Sequence, residues 1–352
     1  MTKNRIASLL EDLCSLGWDV QLLARPTPPQ SFLTAPVPTG VDVCAACAFK
    51  PHTCLRGWLG LGPALYHADA ALVFMPTVRT ALVACFLARR AVVYAGISWK
   101  GLGARGWRLA LEELVARRAF HLVAAGDDVA ARFTEHARAV SLATPLVPPE
   151  VVERLTQRSP SVKDRSAVRA LFVGSIGTRK GVEELLRALE MTPQVEACIV
   201  GPIDDAALGR RVQEVARSGR LSLQPYLEWE DLRRAYEWAN LLVLPSHSEG
   251  FPRVVYEATA FGNALVVTPV GGIPSRLQDG VSAVFVPPRN AAALAAVLRM
   301  LAREPHRLRS LAEAAQEALR PVFAAPGGGA QFDVLLRRVL HRASDTPRSG
   351  RA

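Results

Sequence analysis

Short runs of Val, Leu, Ile, Phe and Ala alternate along the chain with longer stretches whose apolar positions recur at helical spacing. Compact apolar runs bounded by polar or turn residues read as strands buried on both faces. Their alternation with helices predicts parallel sheets covered by helices on either side. In the first half the strands are Val20-Gln21-Leu22-Leu23, Ala71-Leu72-Val73-Phe74, Val92-Val93-Tyr94-Ala95 and His121-Leu122-Val123-Ala124. Helices such as Val78 to Arg89 and Trp107 to Arg117 lie between them, and Asp127 is placed to cap another near Asp128. Pro145, Pro148 and Pro149, followed by Gln157-Arg158-Ser159-Pro160-Ser161, read as a linker. The pattern restarts at Ala170-Leu171-Phe172-Val173. Further strands follow at Ala197 to Val200, Leu221 to Leu223, Leu241 to Leu244, Leu265 to Val267 and Ala283 to Val286.

The fold class expected is α/β, with two Rossmann-like doubly wound domains facing a crevice and ligands at the carboxyl ends of the strands. Residues 1–155 form the first domain and 165–325 the second. Residues 326–352 hold a last helix from about Gln331 to Leu340, after the break at Ala324-Ala325-Pro326-Gly327-Gly328-Gly329, and a basic tail expected to be disordered from Ser344. The chain opens in a helix, Arg5 to Leu16, stopped by Gly17 and feeding the strand at Val20. A doubly wound domain ordinarily opens with a strand and a glycine-rich turn, so the first strand of the amino-terminal domain is expected to be missing.

Composition narrows the class. Half the 352 residues are hydrophobic and 21% are charged, enough apolar material for a large core. No run approaches the roughly 20 apolar residues needed to cross a bilayer. The apolar stretch after Met1 is cut short by Glu11 and Asp12, too early for a signal peptide, so a cytoplasmic location is expected. The six cysteines are scattered, as in reducing compartments. Cys44-Ala45-Ala46-Cys47, with His52 and Cys54, has ligand spacing, but no second Cys-x-x-Cys completes it. Small side chains in a strand are the better reading, and no metal is expected. The net charge of +10 comes from spread arginines without an aromatic-interleaved stripe, which argues against nucleic acid. Arg337, Arg338, Arg342, Arg348 and Arg351 in the tail admit peripheral contact with an anionic membrane face, where lipid-linked sugar acceptors would be found.

The chemistry concentrates in Pro245-Ser246-His247-Ser248-Glu249-Gly250-Phe251-Pro252-Arg253-Val254-Val255-Tyr256-Glu257-Ala258, directly after a strand. Pro252 suits the first turn of a helix, and Gly262 would end that helix. Backbone N–H groups at Gly250, Phe251, Arg253 and Val254, with the helix dipole behind them, form an anion site suited to a diphosphate. Glu257 in the second helical turn is placed for vicinal ribose hydroxyls, and Glu249 on the loop for hydroxyls of a sugar. His247 is a further candidate for the crevice.

Glu249 and Glu257, followed by Ala258-Thr259-Ala260-Phe261-Gly262-Asn263-Ala264-Leu265-Val266-Val267, resemble the paired-glutamate motif of glycosyltransferase family 4, also known as glycosyl transferases group 1. Thr268-Pro269-Val270-Gly271-Gly272-Ile273-Pro274, Asp279-Gly280 and Val286-Pro287-Pro288 continue the resemblance in order. Upstream, Phe172-Val173-Gly174-Ser175-Ile176-Gly177-Thr178-Arg179-Lys180-Gly181 resembles the family's first strand and loop, whose lysine binds donor phosphates. The resemblance spans about Ala170 to Leu319 and implies a GT-B architecture. It also implies a retaining, metal-independent transfer from a nucleotide-diphosphate sugar to a hydroxyl of a glycan or lipid-linked acceptor, with no cofactor. In that reading Glu249 and Lys180 are catalytic, and Gly174, Ser175, Arg179, Gly201, Tyr226, Leu227 and Glu257 join the loop in binding the donor.

Two departures stand out. Ser175 occupies a position where the family commonly has arginine, and Arg179 is the nearest substitute charge. The stretch from Val93 to Gly101 has no histidine where many members carry one, leaving Ser98, Trp99 and Lys100 as acceptor-side candidates. A catalytically impaired nucleotide-sugar-binding subunit and a nucleotide-sugar epimerase stay open as alternatives.

Overall fold

The computed structural model describes residues 9–10, 12–24, 41–45, 65–74, 78–95, 107–124, 130–131, 133–142, 145, 147–157, 167–217, 219–323 and 328–341. The chain divides into two compact units, Met1–Leu146 with Ala325–Ala352, and Val147–Ala324.

In the first unit β1 (Val20–Ala24) pairs in parallel with β2 (Val41–Ala45), and β3 (Ala71–Phe74), β4 (Ala91–Ala95), β5 (His121–Ala124) and β6 (Val140–Leu142) form a second parallel sheet in that order. Helices α1 (Val78–Leu87) and α2 (Trp107–Arg118) connect β3 to β4 and β4 to β5. Strand β2 takes in Cys44 and Ala45, read from the sequence as small side chains in a strand; β6 was not among the expected strands, since Val140-Ser141-Leu142 is too short and half-exposed to stand out as an apolar run. The central strands β4 and β5 of the second sheet are buried on both faces. Val93 packs with Ala81, Val115 and Ala119 on one side, while Val92, Tyr94 and Val123 pack on the other with Leu9 and Leu13. Among the described residues the β1–β2 pair and the β3–β6 run are two separate sheets. Residues 9–10 and 12–15 are helical, and Gly17, at φ 86°, ends the turn with its N–H on the Cys14 carbonyl, as its place in the sequence predicts.

The last helix returns to this first unit rather than standing apart. It begins at Gly328, three residues before the expected start, so two glycines sit in its first turn. Phe332, Leu335, Leu336 and Val339 complete the cluster around Val92 and Tyr94, and Asp333 accepts the Trp18 indole N–H at 2.8 Å. Asp333 also takes the Arg337 guanidinium at 2.7 Å, so part of the basic tail is occupied internally.

The second unit starts earlier than the expected boundary. Pro148 and Pro149 open helix α3 (Pro149–Thr156) instead of an irregular linker, because proline is tolerated where helical N–H groups have no partner. Its buried Val151 and Leu155 and the stacking of Arg154 on Phe261 bind it to this unit. The sheet has six parallel strands: β7 (Arg169–Val173), β8 (Glu196–Val200), β9 (Leu221–Gln224), β10 (Leu241–Leu244), β11 (Ala264–Val267) and β12 (Val284–Phe285). They lie in the order β12-β11-β10-β7-β8-β9. All the strands expected in this half are present, with ends shifted by a residue or two. Helices α4 (Val182–Glu190), α5 (Ala206–Ala216), α6 (Trp229–Trp238), α7 (Arg253–Ala260), α8 (Ile273–Arg276), α9 (Ala291–Arg303) and α10 (His306–Leu319) cover it. Asn240, 3% exposed, fixes the register of β7 against β10. Its amide accepts from the Arg169 N–H at 2.9 Å and donates to the Ala167 carbonyl at 2.8 Å.

Phe332, 1% exposed and in ring contact with Tyr94, ties the last helix to the first unit. Phe332→Ala is expected to lower unfolding stability by about 3–5 kcal/mol, measured as a reduced urea midpoint.

Candidate active site

The chain runs outward from β7 through β8 to β9, then returns to the other side of β7 and runs outward again from β10 to β12. The reversal lies between β7 and β10. Open α/β sheets bind ligands beyond the carboxyl ends of their strands at such a point.

After β7 the chain passes Gly174 and Ser175 into a 3-10 turn, Thr178–Lys180, and then into α4. Gly181, at φ 68°, joins turn to helix, and a Cβ there would lie 2.0 Å from the Pro245 carbonyl oxygen. Only glycine permits both that conformation and that approach. After β10, Pro245 to Pro252 form a loop that leads into α7. Pro252 is the cap residue rather than the first helical residue, one position earlier than expected, and Arg253 opens the helix. In the first turn of α7 the Val255 N–H donates to the Pro252 carbonyl at 3.1 Å, and the N–H groups of this turn form the positive end of the helix.

The two loops are bonded directly. The Lys180 ammonium meets Glu249 Oε1 at 2.5 Å, and the Ser246 hydroxyl donates to the same oxygen at 2.7 Å. Lys180 is 17% exposed at its side chain and Glu249 7%, so the pair is screened only weakly by solvent. The His247 N–H donates to the Arg179 carbonyl at 2.9 Å, and the Arg179 guanidinium donates back to the Ser248 carbonyl at 3.0 Å. Arg179 is therefore engaged in holding the glutamate loop. The loop is held from below by Gly271 and Gly272. Gly271, at φ 60°, would place a Cβ 2.2 Å from the Glu249 carbonyl, and the Gly272 N–H donates to the Gly250 carbonyl at 2.8 Å. The Gly-Gly-Ile-Pro turn thus serves as a close-packed floor for the glutamate loop.

Glu257 is 1% exposed, deeper than a solvent-facing ligand group. The Tyr236 hydroxyl donates to its Oε2 at 2.7 Å, and Arg253 approaches its Oε1 at 3.3 Å from one helical turn away. Burial pushes the Tyr236 hydroxyl well above its ordinary range, and the Glu257 charge pushes it further. Burial pulls Arg253 down from its usual value, opposed by the same carboxylate. Phe251 packs on Tyr256 at 4.6 Å between ring centroids, and Val254 is buried in the first turn of α7.

The remaining candidates sit on neighbouring strand ends. Gly201, after β8, has φ 148°, and a Cβ there would fall 1.9 Å from the Gly174 carbonyl, so its conformation lets the β7 and β8 loops touch. Tyr226, 37% exposed, and half-buried Leu227 follow β9. Ser98, Trp99 and Lys100 lie outside the described residues, as do Cys47, His52, Cys54, Asp127 and the tail from Ser344. Among the described residues, no group of three or more His, Cys, Asp and Glu side chains could hold a metal, and no helix is long and apolar enough to cross a membrane. Sequence reading missed Ser246, Tyr236 and Thr268. Thr268 donates to the Ser246 carbonyl at 2.5 Å, and both are fully buried. Thr268 directly follows the apolar strand β11 and Ser246 stands two residues past the end of β10, the one signal these two carry in the sequence; Tyr236, inside α6, has none.

The family described as Glycosyl transferases group 1 matches residues 153–318. The match lies wholly within the second unit and takes in both loops of the site. The D-inositol 3-phosphate glycosyltransferase of Nocardiopsis dassonvillei is 30% identical over 270 residues, covering 69% of this chain and 60% of the relative. That of Geodermatophilus obscurus is 33% identical over 214 residues, 54% of this chain and 48% of the relative. A third, from Mycobacterium sp. (strain KMS), is matched over 32% of its length, so the chain spans about a third to three fifths of these relatives. Sucrose-phosphate synthase from Thermosynechococcus elongatus superposes with a TM-score of 0.73 at 21% identity, covering 96% of this chain and 93% of that one. HepE of Anabaena, in a complex with UDP, gives 0.67 at 18%, covering 96% and 98%. The two parallel-sheet units thus have the GT-B fold of glycosyltransferases.

Replacing Tyr236 by Phe keeps the ring stacked on Phe261 and removes the hydroxyl that donates to the Oε2 oxygen of buried Glu257. An expected loss of about 1–3 kcal/mol follows from leaving that oxygen unsatisfied, read by urea unfolding of Tyr236→Phe against the parent chain.

Proposed function

We propose that this chain transfers a sugar from a nucleotide-diphosphate sugar to a hydroxyl acceptor, retaining the anomeric configuration and using no metal. The observation that carries the reading is the Lys180–Glu249 pair, set at the reversal of strand order beside the start of α7. Lys180 and the helix amino terminus stabilise charge developing on the leaving diphosphate. Glu249 orients the sugar. Glu257 holds the ribose hydroxyls, which compete with Arg253 for Oε1. The acceptor hydroxyl attacks from the face that the phosphate leaves, and a phosphate oxygen takes its proton. Gly174 and Ser175 line the diphosphate path, Gly201, Tyr226 and Leu227 the base, and Ser98, Trp99 and Lys100 the acceptor side. Arg179 reaches the diphosphate only by releasing the Ser248 carbonyl.

The likeness to HepE, solved with UDP and with UDP-glucose, supports a UDP-sugar as the first donor to test. The inositol-phosphate glycosyltransferase relatives support a small polyol or glycan hydroxyl as acceptor, in cell-surface glycan or glycolipid synthesis. Contact of the basic tail with an anionic membrane face belongs to the same reading. A second reading, a nucleotide-sugar-binding subunit without transfer, is favoured by Ser175, which stands where the family commonly has arginine.

A thermal-shift screen of nucleoside diphosphates and their sugars tests the proposal, since a ligand of the native state raises its melting temperature. The cognate donor is expected to raise it. Glu257→Ala then weakens nucleotide binding about tenfold or more, and Glu249→Ala lowers turnover about a hundredfold with little change in nucleotide affinity. Full activity in the Glu249, Glu257 double alanine variant contradicts the reading, and binding without transfer to any acceptor favours the subunit.

A further inference from the structure

His247 is tied to the β7 side of the site twice. Its backbone N–H bonds the carbonyl of Arg179, next to Lys180, and its imidazole Nε2 lies 3.0 Å from Glu184 Oε1 in the first turn of α4. The two side chains are 12% and 14% exposed. The other Glu184 oxygen, Oε2, is buried with no hydrogen-bond partner among the described residues. The imidazole is therefore the principal polar partner of a carboxylate that has given up most of its water. The cost of burying such a group is offset by the partner it retains.

We infer that the His247–Glu184 pair is a latch that keeps the Glu249 loop in register with the Lys180 turn while a donor is bound. The inference rests on the reading that Lys180 binds the donor diphosphate. Three side-chain contacts join the glutamate loop to the Lys180 turn and the start of α4: Lys180 to Glu249, Arg179 to the Ser248 carbonyl, and His247 to Glu184. A diphosphate takes Lys180 away from Glu249 and attracts Arg179, so two of the three are weakened by the ligand itself. The His247 and Glu184 side chains form no hydrogen bond or ion pair with those of Lys180 or Glu249 among the described residues, and their contact survives. They are positioning residues: they set the distance between the lysine and the glutamate loop and contact no reacting atom.

The test separates positioning from folding. His247→Ala leaves the Glu184 carboxylate without its partner and is expected to lower the melting temperature. Adding Glu184→Ala removes that stranded carboxylate, so the double variant recovers most of the melting temperature. Its ratio of diphosphate to monophosphate affinity, measured by calorimetry with UDP and UMP (or the pair of the base that binds the parent chain), stays about tenfold below the parent's, since a displacement of about an ångström is enough to blunt a positioned group. His247→Gln, which keeps an N–H within reach of Glu184, restores most of the ratio. A double variant whose ratio equals the parent's overturns the latch and leaves the pair a packing detail. Lys180→Ala in the same titration tests the underlying reading. A ratio unchanged in that variant means that Lys180 does not read the diphosphate, and the latch falls with it.

Discussion

Two loops separated by some seventy residues are brought together by one parallel strand pairing, β7 against β10, and everything proposed for the donor site depends on it. Hydrogen bonds set the pairing along the strands, and Asn240 locks its register at the amino-terminal end. At the carboxyl end the same register delivers Lys180 opposite Glu249. The reversal of strand order falls at this pairing, so the chain continues away from it on both sides. The two loops there have room to extend above the sheet and meet each other.

The meeting is made close by absent side chains and made specific by charged ones. Gly181 and Gly271 lie in the left-handed region and within about a bond length of contact with neighbouring carbonyls, so each admits no Cβ. The Lys180–Glu249 pair, the Ser246 hydroxyl and the Arg179–Ser248 bond then fill the space between the loops. Glu257 is held differently. It is gripped by Tyr236 and Arg253 in the interior beneath the helix start, where an ion pair gains strength and a lost partner costs more. One glutamate sits at the junction of the loops and the other under it, consistent with separate duties toward sugar and nucleotide.

Much of this arrangement was legible in the sequence because it follows from local pattern. The apolar runs at Leu241 to Leu244 and Ala170 to Val173 mark buried strands. The Glu-x7-Glu spacing at Glu249 and Glu257 gains meaning only from the strand before it and the proline at the helix start. The contacts that tie Lys180 to Glu249, Tyr236 to Glu257 and His247 to Glu184 were not legible, since each joins residues brought together by sheet order rather than by spacing. Nor was helix α3: a cluster of prolines reads as a linker, whereas Pro148 and Pro149 here sit where a helix tolerates them. The last helix was placed correctly as an element, but its return to the first unit depends on Phe332, Leu335, Leu336 and Val339 finding Tyr94, a contact of high sequence separation.

The central claim is that the Lys180–Glu249 junction is a diphosphate site held closed by its own charges. A crystal structure of the chain with UDP, or with whichever nucleoside diphosphate stabilises it most, tests that claim directly. In that structure Lys180 Nζ is expected to have left Glu249 for a phosphate oxygen, with the phosphates at the start of α7. A nucleotide bound elsewhere, with the 2.5 Å Lys180–Glu249 contact intact, would contradict it.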